Sequence, residues 1–142
     1  KQLVEERGLP VFDGVFNLLD ELEKAGATLA IATSGPREKV ETSLRLTGLG
    51  ARFGVVVSGD DVSRGKPAPD VFIEAARRCG VKPETCVGIE DTFPGLKAVR
   101  AAGMRVVAVA HTFPEQDLSP LCDRLFKRIG DISVSDLLDR NE

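Results

Sequence analysis

Apolar residues recur along this chain in two alternating patterns. Over residues 14–24 they return every three or four positions, with Val15, Leu18, Leu19 and Leu22 on one face and Gly26 as the stop, which predicts an amphipathic helix. Residues 28–32 are a short continuous apolar run and predict a buried strand. Pro36 suits a first helical turn, and Val40 and Leu44 carry that helix to Gly48. The same alternation predicts a strand over 53–57, then a helix over 69–79 with Val71, Phe72, Ala75 and Ala76 inward and Gly80 beyond it. A third strand follows over 86–89, a helix over 94–102 closed by Gly103, and a strongly apolar strand over 104–110. A short fifth strand is expected at 125–129 and a last helical turn or two at 134–138. Residues 1–10, charged at Glu5, Glu6 and Arg7, read as the tail of an upstream helix leading in.

Strands that alternate with helices and are apolar on both faces point to an α/β chain with a mostly parallel sheet covered on both sides. No repeat, low-complexity stretch or internal linker interrupts the pattern, so the 142 residues read as a single domain with room for a hydrophobic core. The opening Lys1 reads as the start of a processed, truncated or excised segment.

Composition narrows the function classes. At 42% hydrophobic and 29% charged the chain resembles ordinary globular proteins, and a net charge of -3 gives no basic surplus to bind a nucleic-acid backbone. No apolar run reaches membrane-spanning length, so no membrane association is expected, and no signal-peptide pattern opens the chain. The three cysteines, Cys79, Cys86 and Cys122, contain no Cys-x-x-Cys. Cys79 on a helix pattern and Cys86 at a strand start read as buried free thiols, consistent with a reducing, cytoplasmic-type compartment.

Three polar clusters fall where apolar strands end: Thr33-Ser34, Gly65-Lys66-Pro67 and Glu90-Asp91. In an open parallel sheet, ligands bind beyond the carboxyl ends of the strands, so Thr33 and the acidic pair belong on one rim. Thr33 offers a hydroxyl, and Ser34 and Gly35 offer N–H groups ahead of a helix start, which suits an anion. The same residues also read as a helix cap by Ser34 or Thr33, which needs no ligand. Lys66 is either a solvated loop lysine or an ammonium for that anion, its role in the latter case being charge rather than packing. Glu90 and Asp91 are either carboxylates for Mg²⁺, which takes one or two of them with waters and phosphate oxygens, or an N-cap for the next helix, with Thr92 as the other capping candidate. His111, the one histidine, follows the fourth strand and reads as a loop histidine with a satisfied partner or, failing that, a catalytic group.

These residues together resemble the haloacid dehalogenase superfamily, in particular its capped branch of phosphoglycolate phosphatase-like and β-phosphoglucomutase-like enzymes. The likeness runs from about residue 9 to 110. Residues 13–26 look like the return from the helical cap. Residues 29–35 look like the second motif with Thr33 as its hydroxyl, 58–70 the third with Lys66 as its lysine, and 87–95 the fourth with Glu90 and Asp91 as its acids. The family's first motif, Asp-x-Asp on an apolar strand followed by Gly-Thr, precedes the cap. Val11-Phe12-Asp13-Gly14 holds only one of its aspartates and runs into a helix that already matches the post-cap position, so Asp13 is not the expected nucleophile.

The resemblance implies a Rossmann-like three-layer sandwich with its first strand missing, the post-cap portion of a core domain. It implies an Mg²⁺-dependent phosphatase acting on a small phosphorylated metabolite through a covalent aspartyl intermediate, inactive in this chain for want of the nucleophile. Thr33 and Lys66 are then catalytic, Thr33, Ser34, Gly35 and Lys66 bind phosphate, and Glu90 and Asp91 hold the metal. A sugar phosphomutase of the same superfamily and an inactive binding or scaffold domain are the alternatives. A sheet lacking its central strand would expose apolar edges and self-associate.

Overall fold

The computed structural model describes the backbone of residues 2–4 and residues 14–138. A six-stranded sheet forms its centre, built from β1 (Gln2–Val4), β2 (Leu29–Ala32), β3 (Val55–Val57), β4 (Val87–Glu90), β5 (Arg105–Val109) and β6 (Arg124–Phe126). The order is β3-β2-β1-β4-β5-β6, and every neighbouring pair is parallel. The helices that matter for the site are α1 (Val15–Lys24), α2 (Arg37–Thr47), α3 (Asp70–Cys79) and α4 (Phe93–Ala101), followed by the short α5 (Glu115–Leu118) and α6 (Val134–Leu138).

The two faces of the sheet are filled differently. Leu29, Ile31, Val87, Ile89, Val107 and Val109 turn bulky branched side chains toward Leu18, Leu19 and Leu22 of α1 and Leu137 of α6. The alternate positions, Ala30, Ala32, Val106 and Ala108, are smaller apart from Val106 and face α3 and α4 through Phe72, Ala75, Leu96 and Val99. Gly88 completes that second face, where a Cβ would stand 2.6 Å from both γ-carbons of Val99. Small residues on the strands let α4 lie close to the sheet, and each fully buried Leu, Ile, Val or Phe adds about 1.5–3 kcal/mol of hydrophobic stabilisation. Helix ends follow the glycine signals in the sequence: α2 stops at Gly48 (φ 78°) and α3 at Gly80 (φ 73°), both left-handed, a conformation open to glycine at no steric cost.

Three expectations are corrected here. The opening residues read as the tail of a helix, but Gln2–Val4 pairs as a strand with both β2 and β4. The position left without its motif-bearing strand is therefore occupied, by three residues that include no aspartate, and the sheet is continuous. Its ends are β3 and β6, so the argument for self-association through a central gap loses its basis. The last strand is Arg124–Phe126 rather than 125–129, because the polar pair Lys127-Arg128 interrupts the run and Ile129 heads a 3-10 turn. Asp13 lies outside the described residues.

Candidate active site at the carboxyl rim of the sheet

β2 delivers Thr33 to the rim. The Thr33 N–H donates to the Val57 carbonyl at 3.0 Å, one step beyond the β2–β3 ladder, and the residue is 6% exposed. Its hydroxyl accepts the Gly35 N–H at 3.1 Å, so that donor is used inside the turn rather than offered outward. The N-terminus of α2 is served from another loop: Asp60 accepts the Arg37 N–H at 2.8 Å, and neither Thr33 nor Ser34 caps the helix. The Ser34 hydroxyl instead accepts the Lys66 N–H at 3.0 Å. The Gly59 N–H donates to the Gly35 carbonyl at 2.8 Å. The loop after β2 and the loop after β3 are thus stitched together, and the stitch carries Lys66 to the rim.

Lys66 is not a solvated loop residue. Its side chain is 8% exposed, and its Nζ donates to Glu90 Oε2 at 2.6 Å and to the Ala32 carbonyl at 3.1 Å. The ammonium also lies 5.0 Å from the centre of the Phe72 ring. Glu90 is sealed beneath it with a side chain at 0% exposure. Its other oxygen is 3.5 Å from the Thr92 hydroxyl, and Gly95 packs so closely that a Cβ there would stand 1.9 Å from Oε1. A carboxylate taken out of water at this depth needs a cation and further donors, and Lys66 with Thr92 provides them. The sequence groups Glu90 with Asp91 as metal carboxylates; the structure commits Glu90 to Lys66.

Asp91 points elsewhere, as consecutive residues at a strand end do. It is 6% exposed, and its Oδ2 accepts the Thr112 hydroxyl at 2.8 Å. Thr92, not Asp91, caps α4 by accepting the Gly95 N–H at 3.2 Å, which leaves Asp91 out of the capping role. Among the described residues no group of three or more His, Cys, Asp and Glu side chains could hold a metal ion together. The donor set still suits a hard cation in part, with one oxygen-bearing carboxylate at the rim and the rest of the shell to come from water, phosphate and other protein oxygens.

Over residues 1–109 the sequence matches the haloacid dehalogenase-like hydrolases. The chain belongs to that family. It is 35% identical over 134 residues to the bifunctional riboflavin kinase/FMN phosphatase of Arabidopsis thaliana, a match covering 94% of this chain and 35% of that protein. It is 37% identical over 108 residues to hexitol phosphatase A of Escherichia coli strain K12, covering 76% of this chain and 50% of that protein. The crystal structure of a CbbY variant from Rhodobacter sphaeroides in complex with xylulose-(1,5)bisphosphate matches with a TM-score of 0.81 at 30% identity, covering 89% of this chain and 58% of that one. The chain therefore spans less than two thirds of the length of each of these haloacid dehalogenase-like relatives.

In this haloacid dehalogenase-like chain, three participants escape sequence reading. Phe72 reads as core, and only the fold places its ring beside Lys66. Gly95 reads only as the end of the fourth-motif stretch, and the fold shows that it makes room for Glu90. Thr112 has no fixed spacing from Asp91, and its one sequence signal is its place just after an apolar strand. His111 has a structural partner: its Nε2 accepts the Ile129 N–H at 3.1 Å, and burial pushes its pKa below the ordinary histidine value.

Asp61 holds the loop after β3 in shape. It accepts the Ser58 N–H at 2.8 Å and the Ser58 hydroxyl at 3.1 Å, and it pairs with the Arg37 guanidinium. The Ser58 N–H foremost, then Arg37 and the Ser58 hydroxyl, lower its pKa from 3.8 to about 2. The folded value lies below the unfolded one, so this contribution to stability is whole above pH 3.8 and is lost as pH falls toward about 2. Melting temperatures measured down that range should fall less steeply in Asp61→Asn than in the wild type. Parallel curves would remove Asp61 from the acid limb.

Proposed function

We propose that this chain is the post-cap portion of the core domain of an Mg²⁺-dependent phosphatase acting on a small phosphorylated metabolite. The observation that carries the reading is the stitched rim, in which Ser34 holds the Lys66 backbone and Glu90 holds the Lys66 ammonium beside the Thr33 turn. The phosphatase names of the relatives and the bisphosphate bound in CbbY support the choice of substrate class.

In this reading Thr33 and Ser34 bind phosphoryl oxygens through the Thr33 hydroxyl and the N–H groups of the turn, with Gly35 shaping that turn around Thr33 Oγ1. Lys66 places a positive charge beside the phosphoryl group, and Glu90 fixes where that charge sits. Asp91 would hold Mg²⁺, with Glu90 acting on the site through Lys66. The metal would neutralise phosphate charge and orient it. No disulfide joins Cys79, Cys86 and Cys122, of which Cys86 is wholly buried and Cys79, expected to be buried, only partly so; this supports a reducing, cytoplasmic-type setting.

The covalent step needs a nucleophilic aspartate, and Asp13 supplies only part of the family's first motif. The chain is therefore expected to bind Mg²⁺ weakly and to show no turnover of an aryl phosphate in its presence. Turnover well above background that vanishes in Asp13→Asn would overturn this and make Asp13 the nucleophile. Tight Mg²⁺ binding by calorimetry, unchanged in Asp91→Ala, would overturn the metal assignment.

A further inference from the structure

Three consecutive residues beyond β5 each reach a different part of the rim. His111 accepts the Ile129 N–H at 3.1 Å and anchors the turn to the segment after β6. Thr112 donates to Asp91 Oδ2 at 2.8 Å. Phe113 packs on Phe93, with ring centroids 4.5 Å apart and the planes tilted by 33°. Phe93 is the first residue of α4, two positions after Asp91. The turn after β5 is therefore fastened to the turn after β4 twice, once through a carboxylate and once through a pair of rings. The ring contact uses apolar area in the second core cluster, where Phe93 and Phe113 both pack, so the alignment of the two turns does not depend on the hydrogen bond alone.

A carboxylate at a strand end can rotate about its terminal torsion, which is broad and roughly two-fold. A hydroxyl donating to one oxygen fixes that rotation. We infer that Thr112 is a positioning residue for Asp91, setting the plane in which its carboxylate meets a divalent cation. The inference rests on the proposed role of Asp91 as the cation's ligand. Outer partners of this kind orient the ligand they touch, and their loss commonly weakens metal affinity 10–100-fold.

The test titrates the chain with Mn²⁺, read by water-proton relaxation, which reports weak sites without any turnover. Thr112→Val keeps the shape and loses the hydroxyl; Thr112→Ser keeps the hydroxyl. Affinity should fall about tenfold in T112V and stay near wild type in T112S, with both variants still folded at the assay temperature. T112V binding as the wild type does, while Asp91→Ala abolishes binding, would overturn the role of Thr112 and leave Asp91 in place. Wild-type binding in Asp91→Ala would instead overturn the reading of the site itself. A crystal structure of T112V decides independently of affinity: a turned Asp91 carboxylate supports the inference, and an unchanged one overturns it.

Discussion

Lys66→Ala should lower the unfolding free energy by about 3–5 kcal/mol, the usual cost of removing one partner from a buried ion pair. On sequence grounds this lysine contributes charge to the site and little to stability, so its loss should spare the fold. The structure reverses that. Glu90 is at 0% exposure on its side chain and receives the ammonium at 2.6 Å, and Gly95 closes the space on its other side. Without Lys66 the carboxylate would remain buried with its main counter-charge gone. Protonating it or turning it outward would each disturb the start of α4. Adding Glu90→Leu to Lys66→Met should recover much of the loss, because a paired removal leaves no orphan charge. Urea unfolding of Lys66→Met, Glu90→Leu and the double variant gives the coupling directly. A loss under about 1 kcal/mol in Lys66→Ala, within the range of an exposed pair, would mean that the pair is solvated.

Gly59→Ala should open the seam between the loops after β2 and β3 and destabilise the chain by about 1–3 kcal/mol, as overpacking against fixed neighbours does. A Cβ at position 59 would stand 2.3 Å from the Ser34 carbonyl oxygen and 3.0 Å from its carbon. Both are backbone atoms, so no side chain can swing away to make room. The Gly59 N–H bond to Gly35 and the Lys66 N–H bond to Ser34 lie in the same seam and should lengthen together. Amide hydrogen exchange at Gly59 and Lys66, read beside the melting temperature, checks this. Unchanged protection at both amides with an unchanged midpoint would show that the loops part without cost.

Much of the fold can be read from the pattern of apolar residues. The runs at 29–32, 87–89 and 106–109 are apolar on both faces because both faces are covered, and Gly48 and Gly80 end their helices as expected. Gln2-Leu3-Val4 could not be recognised that way, since three residues carry no period and gain their strand character from pairing on both sides. The short α5 likewise has one buried residue, Leu118, and no amphipathic face to announce it.

The site divides along the same line. Residue types mark Thr33, Lys66 and Asp91 as candidates, and the topology brings them to one rim. Sequence cannot separate Glu90 from Asp91, because adjacent acids look alike until the strand directs one inward to Lys66 and the other to Thr112. Nor can it show that Asp60, 23 residues beyond Arg37, serves the helix start that Thr33 and Ser34 would be expected to cap.

The sheet order has a consequence for how charged ligands would load. β1 stands between β2 and β4, so the backbones that carry Thr33 and Asp91 leave the sheet two strand spacings apart, about 10 Å. At that separation a negative ligand at Thr33 and the Asp91 carboxylate, both half-sites being buried, would repel by about 1.7 kcal/mol at an effective dielectric of about 20, more than thermal energy. The pitch of the sheet would thus leave the two candidate half-sites electrostatically coupled, and a cation held by Asp91 would relieve that repulsion. Under the proposed function the cation and the anion would therefore favour each other's arrival.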